Sequence, residues 1–130
     1  MTTAEARTIL GSDFIIGGTA NTLEDIFLLY QYGVDYIGLG PYRFTLTKEN
    51  LSPILGLSGI GEIISTLNTF NKNGIPIIGI GGIQLEDVSR LMQTGIGGVA
   101  VSSAINKSLD KVAVIKRFME MVNDFELAKV

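Results

Sequence analysis

Apolar residues follow two alternating patterns along this chain. In the first pattern, four short segments are apolar at nearly every position, as strands covered on both faces of a sheet are. In the second, apolar residues return every three or four positions, which is the spacing of one helical face. The alternation predicts strands separated by helices. The predicted strands are residues 13–18, 35–40, 75–82 and 98–104, and the helical faces are Leu23, Ile26, Phe27 and Tyr30; Leu85, Val88, Leu91 and Met92; and Ile115, Phe118, Met119 and Val122.

The start of the first long helix carries a recognisable signal. Asn21 and Thr22 are followed three residues later by Glu24 and Asp25, and this spacing predicts two overlapping capping boxes. In such a box the two side chains each accept a hydrogen bond from the other residue's backbone amide. We therefore expect the helix to begin directly after residue 22.

The remaining boundaries complete a regular order of elements. Gly33 and Gly95 follow helical faces, as C-terminal glycines do. Short helices at about 3–10 and 60–70 extend the order to α-β-α-β-α-β-α-β-α. Strands that alternate with helices in this way form a parallel sheet with right-handed crossovers. The sequence predicts one domain over residues 1–130.

Two α/β architectures fit this order: a flavodoxin-like open sheet, and part of a (β/α)8 barrel. A complete barrel needs about 200 to 250 residues, whereas this chain has 130. The predicted fold is a set of parallel βα repeats, either an open sheet or about half of a TIM-type (β/α)8 barrel, and composition does not choose between the two. Whether the four strands form an open sheet or are completed by a second chain stays open.

Composition and charge narrow the chemistry. The chain has no cysteine and no histidine, which excludes disulfides, thiolate sites and histidine-based catalysis within one chain. Its net charge is -3 and no basic stripe is present, so we expect no nucleic-acid partner. No apolar run reaches the ~20 residues of a membrane span, and the N-terminus does not resemble a signal peptide. We expect a cytoplasmic protein with no membrane partner.

The stretch "IPIIGIGGIQLED" at 75–87 carries three glycines within four positions, where a strand gives way to a helix. Glycine is conformationally costly, so a cluster indicates that something comes very close to the backbone. That partner is either a ligand or a tightly packed part of the chain itself. The residues alone do not choose between the two.

Three stretches, "DYIGLGPYRFTLTKEN", "IPIIGIGGI" and "GVAVSSAI", resemble the thiamine-phosphate synthase family, also called thiamine-phosphate pyrophosphorylase. The resemblance covers nearly the whole chain and matches the C-terminal portion of that family's barrel, through strand 8. It implies a (β/α)8 barrel that joins hydroxymethylpyrimidine diphosphate to thiazole phosphate, with release of pyrophosphate assisted by Mg²⁺. The implied partners are these small phosphorylated substrates.

The resemblance assigns a phosphate cradle to the predicted third and fourth strands. Gly82 matches the family's glycine contact to thiazole phosphate, and Gly81 beside it would let the phosphate approach the chain. Ser102 and Ser103 match the strand-8 phosphate contacts. Alternatively, the serine pair caps the helix that follows.

The stretch "FTLTK" resembles the family's Thr-Pro-Thr-Lys segment. The resemblance places Thr45, Leu46 and Thr47 against the thiazole substrate and Lys48, as the catalytic residue, against the diphosphate leaving group. Leu46 stands where the family usually has proline. Without the resemblance, surface solvation would explain this segment equally well. Thr19 occupies the position of a family serine that binds the pyrimidine diphosphate.

The family's magnesium-binding aspartates lie on its first four strands, so the resemblance implies Mg²⁺ but no metal ligand in this chain. Our hypothesis is that Met1 is an internal methionine of a longer synthase. We interpret Asp35 as a structural turn residue, and the pairs Glu24–Asp25 and Glu86–Asp87 as complements to helix dipoles.

The resemblance leaves two alternatives to the synthase. One is a truncated phosphate-binding or assembly module. The other is the related thiazole tautomerase, which is disfavoured because that family relies on histidine. The strand edges at 13–18 and 98–104 would be open to pairing, which predicts a homo-oligomer.

Overall fold

A computed structural model describes residues 1–44, 52–70 and 74–128. In these ranges the strands and helices alternate as the sequence predicts, except that two helices follow the last strand. The strands are β1 (Gly17–Ala20), β2 (Tyr36–Leu39), β3 (Ile77–Gly79) and β4 (Gly98–Val99). The helices are α1 (Thr3–Leu10), α2 (Leu23–Gln31), α3 (Gly56–Thr69), α4 (Val88–Gln93), which follows a 3-10 turn at Leu85–Asp87, α5 (Ser103–Asn106) and α6 (Lys111–Ala128).

The described strands form a single parallel sheet in the order β1-β2-β3-β4. Gly17 pairs with Tyr36, Ile37 with Ile77, and Gly79 with Val99, all in parallel register. Because each strand lies beside its neighbour in sequence, every connection is a single βα step. β1 and β4 are the two edges of the described sheet, as predicted.

The hydrophobic core lies on one face of this sheet. Ile37, Leu39 and Ile77 point into it from the strands, and Ile26 and Leu91 point into it from the helices. The opposite face carries Tyr36, whose side chain is 43% exposed. The expectation that both faces would be covered is therefore wrong for this chain. In a closed barrel the inner face is covered by the strands across the barrel, and helices cover only the outer face.

Capping fixes the start of α2. The Thr22 hydroxyl accepts from the Asp25 amide at 3.1 Å, and the Asp25 carboxylate accepts from the Thr22 amide at 3.0 Å, which confirms one predicted capping box. The second predicted box, Asn21 with Glu24, is wrong. The Asn21 side chain donates instead to the carbonyl oxygens of Gly40 and Pro53.

The first strand begins later than predicted. Its pairing starts at Gly17, and the side chains of Phe14 and Ile15 are 56% and 82% exposed. The guanidinium of Arg7 donates to the carbonyl oxygens of Gly11 (2.9 Å) and Phe14 (2.7 Å). These bonds hold residues 11–14 in a turn, so those residues do not continue β1 alongside β2.

Two other predictions for the C-terminal region need correction. β4 ends at Val99, before the predicted 98–104 strand does. In α6 the buried residue is Phe118, at 6% exposure, whereas Met119 is 60% exposed. Apolar residues occur on two overlapping faces of this helix, and only packing against the core decides which one is buried. No helix within the described ranges combines the length and apolarity needed to cross a membrane.

Candidate functional site

A cavity of about 570 Å³ opens at the carboxyl ends of the strands. In parallel α/β folds this end of the sheet is where ligands bind. The cavity brings together five residues that the sequence singled out, although they come from three separate strand ends. These are Thr19, Gly81, Gly82, Ser102 and Ser103. Their assignment as substrate contacts stays a prediction.

The cavity wall is mostly apolar apart from these residues. Phe44, Pro53, Ile54 and Ile80 are among its apolar lining residues. Such a wall suits an uncharged ring, while the hydroxyls and backbone amides suit a polar or anionic group. The cavity can therefore hold a small molecule that has both.

Gly81 and Gly82 have φ angles of 92° and 66°, a region that L side chains rarely adopt. They are also closely packed. A Cβ on Gly81 would lie 2.8 Å from Pro41 Cα, and one on Gly82 would lie 3.2 Å from the carbonyl oxygen of Arg43. Close packing against residues 41–44 is thus one reason for glycine at these two positions. Both glycines also line the cavity.

Ser102 precedes α5 but does not cap it with its side chain. Among the described residues its hydroxyl forms no capping bond with an α5 amide, and it accepts a 3.3 Å bond from Asn106 Nδ2. Its carbonyl oxygen accepts from the amides of Ile105 and Asn106. The capping interpretation of the Ser102 side chain is therefore wrong, and Ser102 is one of the residues that line the cavity.

Backbone hydrogen bonds hold residues 41–44 on the β3 side of the cavity. The amides of Tyr42 and Arg43 donate to the carbonyl oxygens of Ile80 (2.8 Å) and Gly81 (2.9 Å). After residue 51, the amide of Leu55 donates to the carbonyl oxygen of Pro41 at 2.9 Å. The chain before residue 45 and the chain after residue 51 are thus tied to the same part of the sheet.

Arg43 and Asp87 form a bidentate ion pair next to the glycines. Arg43 Nη1 and Nη2 donate to the two Asp87 carboxylate oxygens at 2.8 and 2.9 Å. Asp87 is only 7% exposed and also accepts from the amide of Gln84 at 2.8 Å and from the hydroxyl of Tyr42 at 3.2 Å. Burial by itself raises the pKa of Asp87, but the donors, with Arg43 foremost, outweigh it and lower the pKa below its ordinary value.

No pattern in the sequence indicates this ion pair. The local sequence indicates only that Asp87 complements a helix dipole, and it does not single out Arg43. The two residues are 44 positions apart, and no local pattern links residues at that distance. Only the placement of 41–44 against the β3 loop brings them together.

Asp35 lies at the opposite ends of the strands and has a structural role, as expected. Its carboxylate accepts from the amide of Ile16 at 2.7 Å and from Arg7 at 2.6 Å. The Ile16 amide first and the Arg7 guanidinium second lower the pKa of Asp35. This network ties α1 and the turn before β1 to the start of β2.

Thr45, Leu46, Thr47 and Lys48 lie outside the described residues. Their predicted contacts with thiazole and diphosphate are therefore not placed relative to the cavity. The described residues on either side of them, Phe44 and Ser52, both line it.

The described residues do not offer a donor set that fits Mg²⁺. Nowhere in these ranges do three Asp or Glu side chains cluster closely enough to hold a metal ion. Asp25, Asp35 and Asp87 are each bound by donors of the chain itself. We therefore derive no chemical step through a metal ion from this chain.

The family model for thiamine monophosphate synthase matches residues 1–105. The thiamine-phosphate synthase of Phocaeicola vulgatus is 53% identical over 121 residues, which cover 93% of this chain and 58% of that protein. The thiamine-phosphate synthase of Flavobacterium johnsoniae is 56% identical over 116 residues, covering 89% of this chain and 54% of that protein. The chain thus spans little more than half the length of these relatives.

A solved structure shows the same relationship. The thiamine phosphate pyrophosphorylase of Pyrococcus furiosus superposes with a TM-score of 0.82 at 26% identity, over 96% of this chain and 56% of that one. The similarity covers the described sheet and helices together rather than one motif. The fold and the sequence therefore point to the same group of enzymes.

Proposed function

The chain belongs to the thiamine monophosphate synthase family. We propose that it functions in a transferase of thiamine biosynthesis. The proposed reaction joins hydroxymethylpyrimidine diphosphate to thiazole phosphate and releases pyrophosphate. In this proposal the chain supplies the part of the site that binds thiazole phosphate. A cytoplasmic location and a homo-oligomer are further parts of the proposal.

One observation carries the proposal: Thr19, Gly81, Gly82, Ser102 and Ser103 line one cavity at the carboxyl ends of the strands. The sequence motifs that contain these residues lie up to 84 positions apart along the chain. Their convergence is what a shared ligand requires. Hydroxyl and amide donors offer hydrogen bonds to phosphate oxygens without a fixed positive charge.

The proposed roles follow from the family resemblance, and the chemistry of each group is compatible with them. Gly82, Ser102 and Ser103 bind the thiazole phosphate, and Gly81 leaves room for it. The apolar wall at Phe44 and Ile54 packs against the ring. Departure of the diphosphate leaves negative charge on its oxygens, and we assign the stabilisation of that charge to Lys48. Mg²⁺ is part of the proposal only as the cofactor that the resemblance implies, with ligands outside the described residues.

A second candidate is a module that binds the phosphorylated thiazole without turnover. It is favoured by the open inner face of the sheet, where Tyr36 is exposed. Such a face leaves one side of the barrel interior unlined by the described residues. Binding would persist in this case because the cavity that carries the proposal is built from this chain.

Calorimetric titration separates the two candidates. The purified chain is titrated with thiazole phosphate, and then with hydroxymethylpyrimidine diphosphate and Mg²⁺ in the same cell, while pyrophosphate release is measured. The synthase proposal predicts binding followed by pyrophosphate release. Binding without release would favour the module, and an absence of binding would contradict both.

Two variants and a matched control sharpen the result. Ser103→Ala removes a hydroxyl from the cavity and should weaken binding of thiazole phosphate. Ser65→Ala, on an exposed position of α3, is the matched control and should change nothing. Lys48→Ala should reduce pyrophosphate release more than thiazole-phosphate binding, and equal losses would contradict the role given to Lys48.

A further inference from the structure

Arg43 contacts both peptide groups of the Gly81–Gly82 loop. Its backbone amide donates to the carbonyl oxygen of Gly81 at 2.9 Å, and its Nη1 donates to the carbonyl oxygen of Gly82 at 2.7 Å. One residue therefore holds two consecutive carbonyls of a loop whose φ angles are both positive. Neither contact involves the cavity directly, because Arg43 is not among its lining residues.

These contacts determine where the next two amides point. In a trans peptide the carbonyl and the following N–H point in opposite directions. Since the carbonyls of Gly81 and Gly82 point at Arg43, the N–H groups of Gly82 and Ile83 point away from it. Gly82 and Ile83 both line the cavity. Glycine at both loop positions makes other orientations accessible, so the contacts with Arg43 select one of them.

Asp87 fixes Arg43 in turn. Its carboxylate accepts from both terminal nitrogens of the guanidinium, at 2.8 and 2.9 Å, and is itself held by the Gln84 amide. A planar guanidinium bound at two points has little rotational freedom left. Asp87 follows the glycine loop closely in sequence. Arg43 therefore joins the 41–44 segment to the loop at two places, at the glycines and at Asp87 just after them.

We propose that Arg43, held by Asp87, is a positioning residue that orients the backbone amides of Gly82 and Ile83 for a bound phosphate group. This inference rests on the proposed function in that the cavity must bind a phosphate. It adds two residues that do not contact the ligand but determine its affinity. The pair acts by preorganisation: the loop is already in its binding conformation when the anion arrives.

Arg7 and Asp35 provide a matched control. This second Arg–Asp pair also joins a guanidinium to backbone carbonyls, and it lies at the other ends of the strands. Arg43→Lys and Arg7→Lys keep the charge but lose the planar fork in each case. Both variants should lower the stability of the chain. Only the first should alter the amides in the cavity.

The test is a titration of the ¹⁵N-labelled full chain with inorganic phosphate, in which the amide proton chemical shifts are the observable. Each variant is measured at a temperature where it is folded. In the unmodified chain, the amides of Gly82 and Ile83 should shift downfield with a common Kd. Arg43→Lys and Asp87→Asn should raise that Kd about tenfold, the equivalent of roughly one well-oriented hydrogen bond. Arg7→Lys should leave it unchanged.

The outcomes are distinct. An unchanged Kd in folded Arg43→Lys would overturn the positioning role, even if its stability fell, while the proposed function would stand. If phosphate shifted neither these amides nor those of Ser102 and Ser103 in the unmodified chain, the phosphate-binding function would fail and the inference with it. A raised Kd in Arg7→Lys as well would mean that general loosening is responsible, and would also overturn the inference.

Discussion

Asn21 donates a 2.9 Å hydrogen bond from its Nδ2 atom to the carbonyl oxygen of Pro53, 32 residues further along the chain. The same amide group donates to the carbonyl oxygen of Gly40, also at 2.9 Å. One side chain thus ties together the end of β1, the end of β2 and the chain that returns after residue 51. Gly40 and Pro53 both line the cavity, so this residue supports its shape.

Replacing Asn21 by alanine should therefore affect stability and binding together. Asn21→Ala leaves two carbonyl oxygens without their donor, which should cost about 1–3 kcal/mol of unfolding free energy. It should also weaken binding of thiazole phosphate. Urea denaturation and calorimetry measure the two effects. Asn68→Ala, at an exposed position of α3, is the control, and equal urea midpoints for the two variants would contradict this role.

Gly82→Ala should destabilise the chain more than Gly33→Ala. The two glycines have nearly the same φ angle, 66° and 69°, so the strain of a left-handed alanine is shared and should cost about 1–2 kcal/mol. A Cβ at Gly33 meets open space, whereas one at Gly82 meets the backbone oxygens of Arg43 and Phe44. The difference between the two unfolding free energies measures this crowding, and no difference would mean that residues 43–44 move aside freely.

Phe118→Ala and Met119→Ala should separate the two faces of α6. Truncation of Phe118, which is nearly buried, should cost about 3–5 kcal/mol through lost burial and a residual cavity. Truncation of Met119, on the exposed side, should change stability by about 0.5 kcal/mol or less. Thermal or urea unfolding of both variants checks the prediction. A large effect at Met119 would show that this face is covered in solution.

Stability should fall in acid. Hydrogen-bond donors lower the pKa of three carboxyl groups, those of Asp25, Asp35 and Asp87, below the ordinary value. The main donor is the Asn21 amide for Asp25 and the Ile16 amide for Asp35. At Asp87 burial raises the pKa, but the donors outweigh it. A carboxyl whose pKa is lower in the folded state releases its proton more readily there. Its stabilising contribution is present above the unfolded pKa and is lost as the pH falls through the folded pKa.

Urea midpoints measured between pH 7 and pH 2 check this direction. The midpoint should decline progressively below about pH 5, and Asp87→Asn should flatten part of the decline because it removes one of the three carboxyls. Asp124→Asn, which changes the net charge equally at an exposed position of α6, should preserve the decline. A midpoint that rises towards pH 3 would contradict the assignment.

Much of the fold follows from local pattern. The limits of α1 agree with the prediction, and β2, β3, α2 and α3 lie where apolar spacing and capping residues indicate. Local rules succeed here because a helix face or a capping box is formed by neighbours in sequence. They fail at β1, where Arg7 holds residues 11–14 in a turn, and at α6, where apolar residues occupy two faces.

The sequence by itself determined the alternation of strands and helices, the family resemblance and the residues proposed for the phosphate cradle. Only the tertiary structure decided that Thr19, Gly81 and Ser102 share one cavity, and that Arg43 and Asp87 hold the glycine loop between them. The reason is physical. Periodicity reports which face of an element is apolar, whereas a contact between Arg43 and Asp87 depends on where the whole sheet places two distant loops.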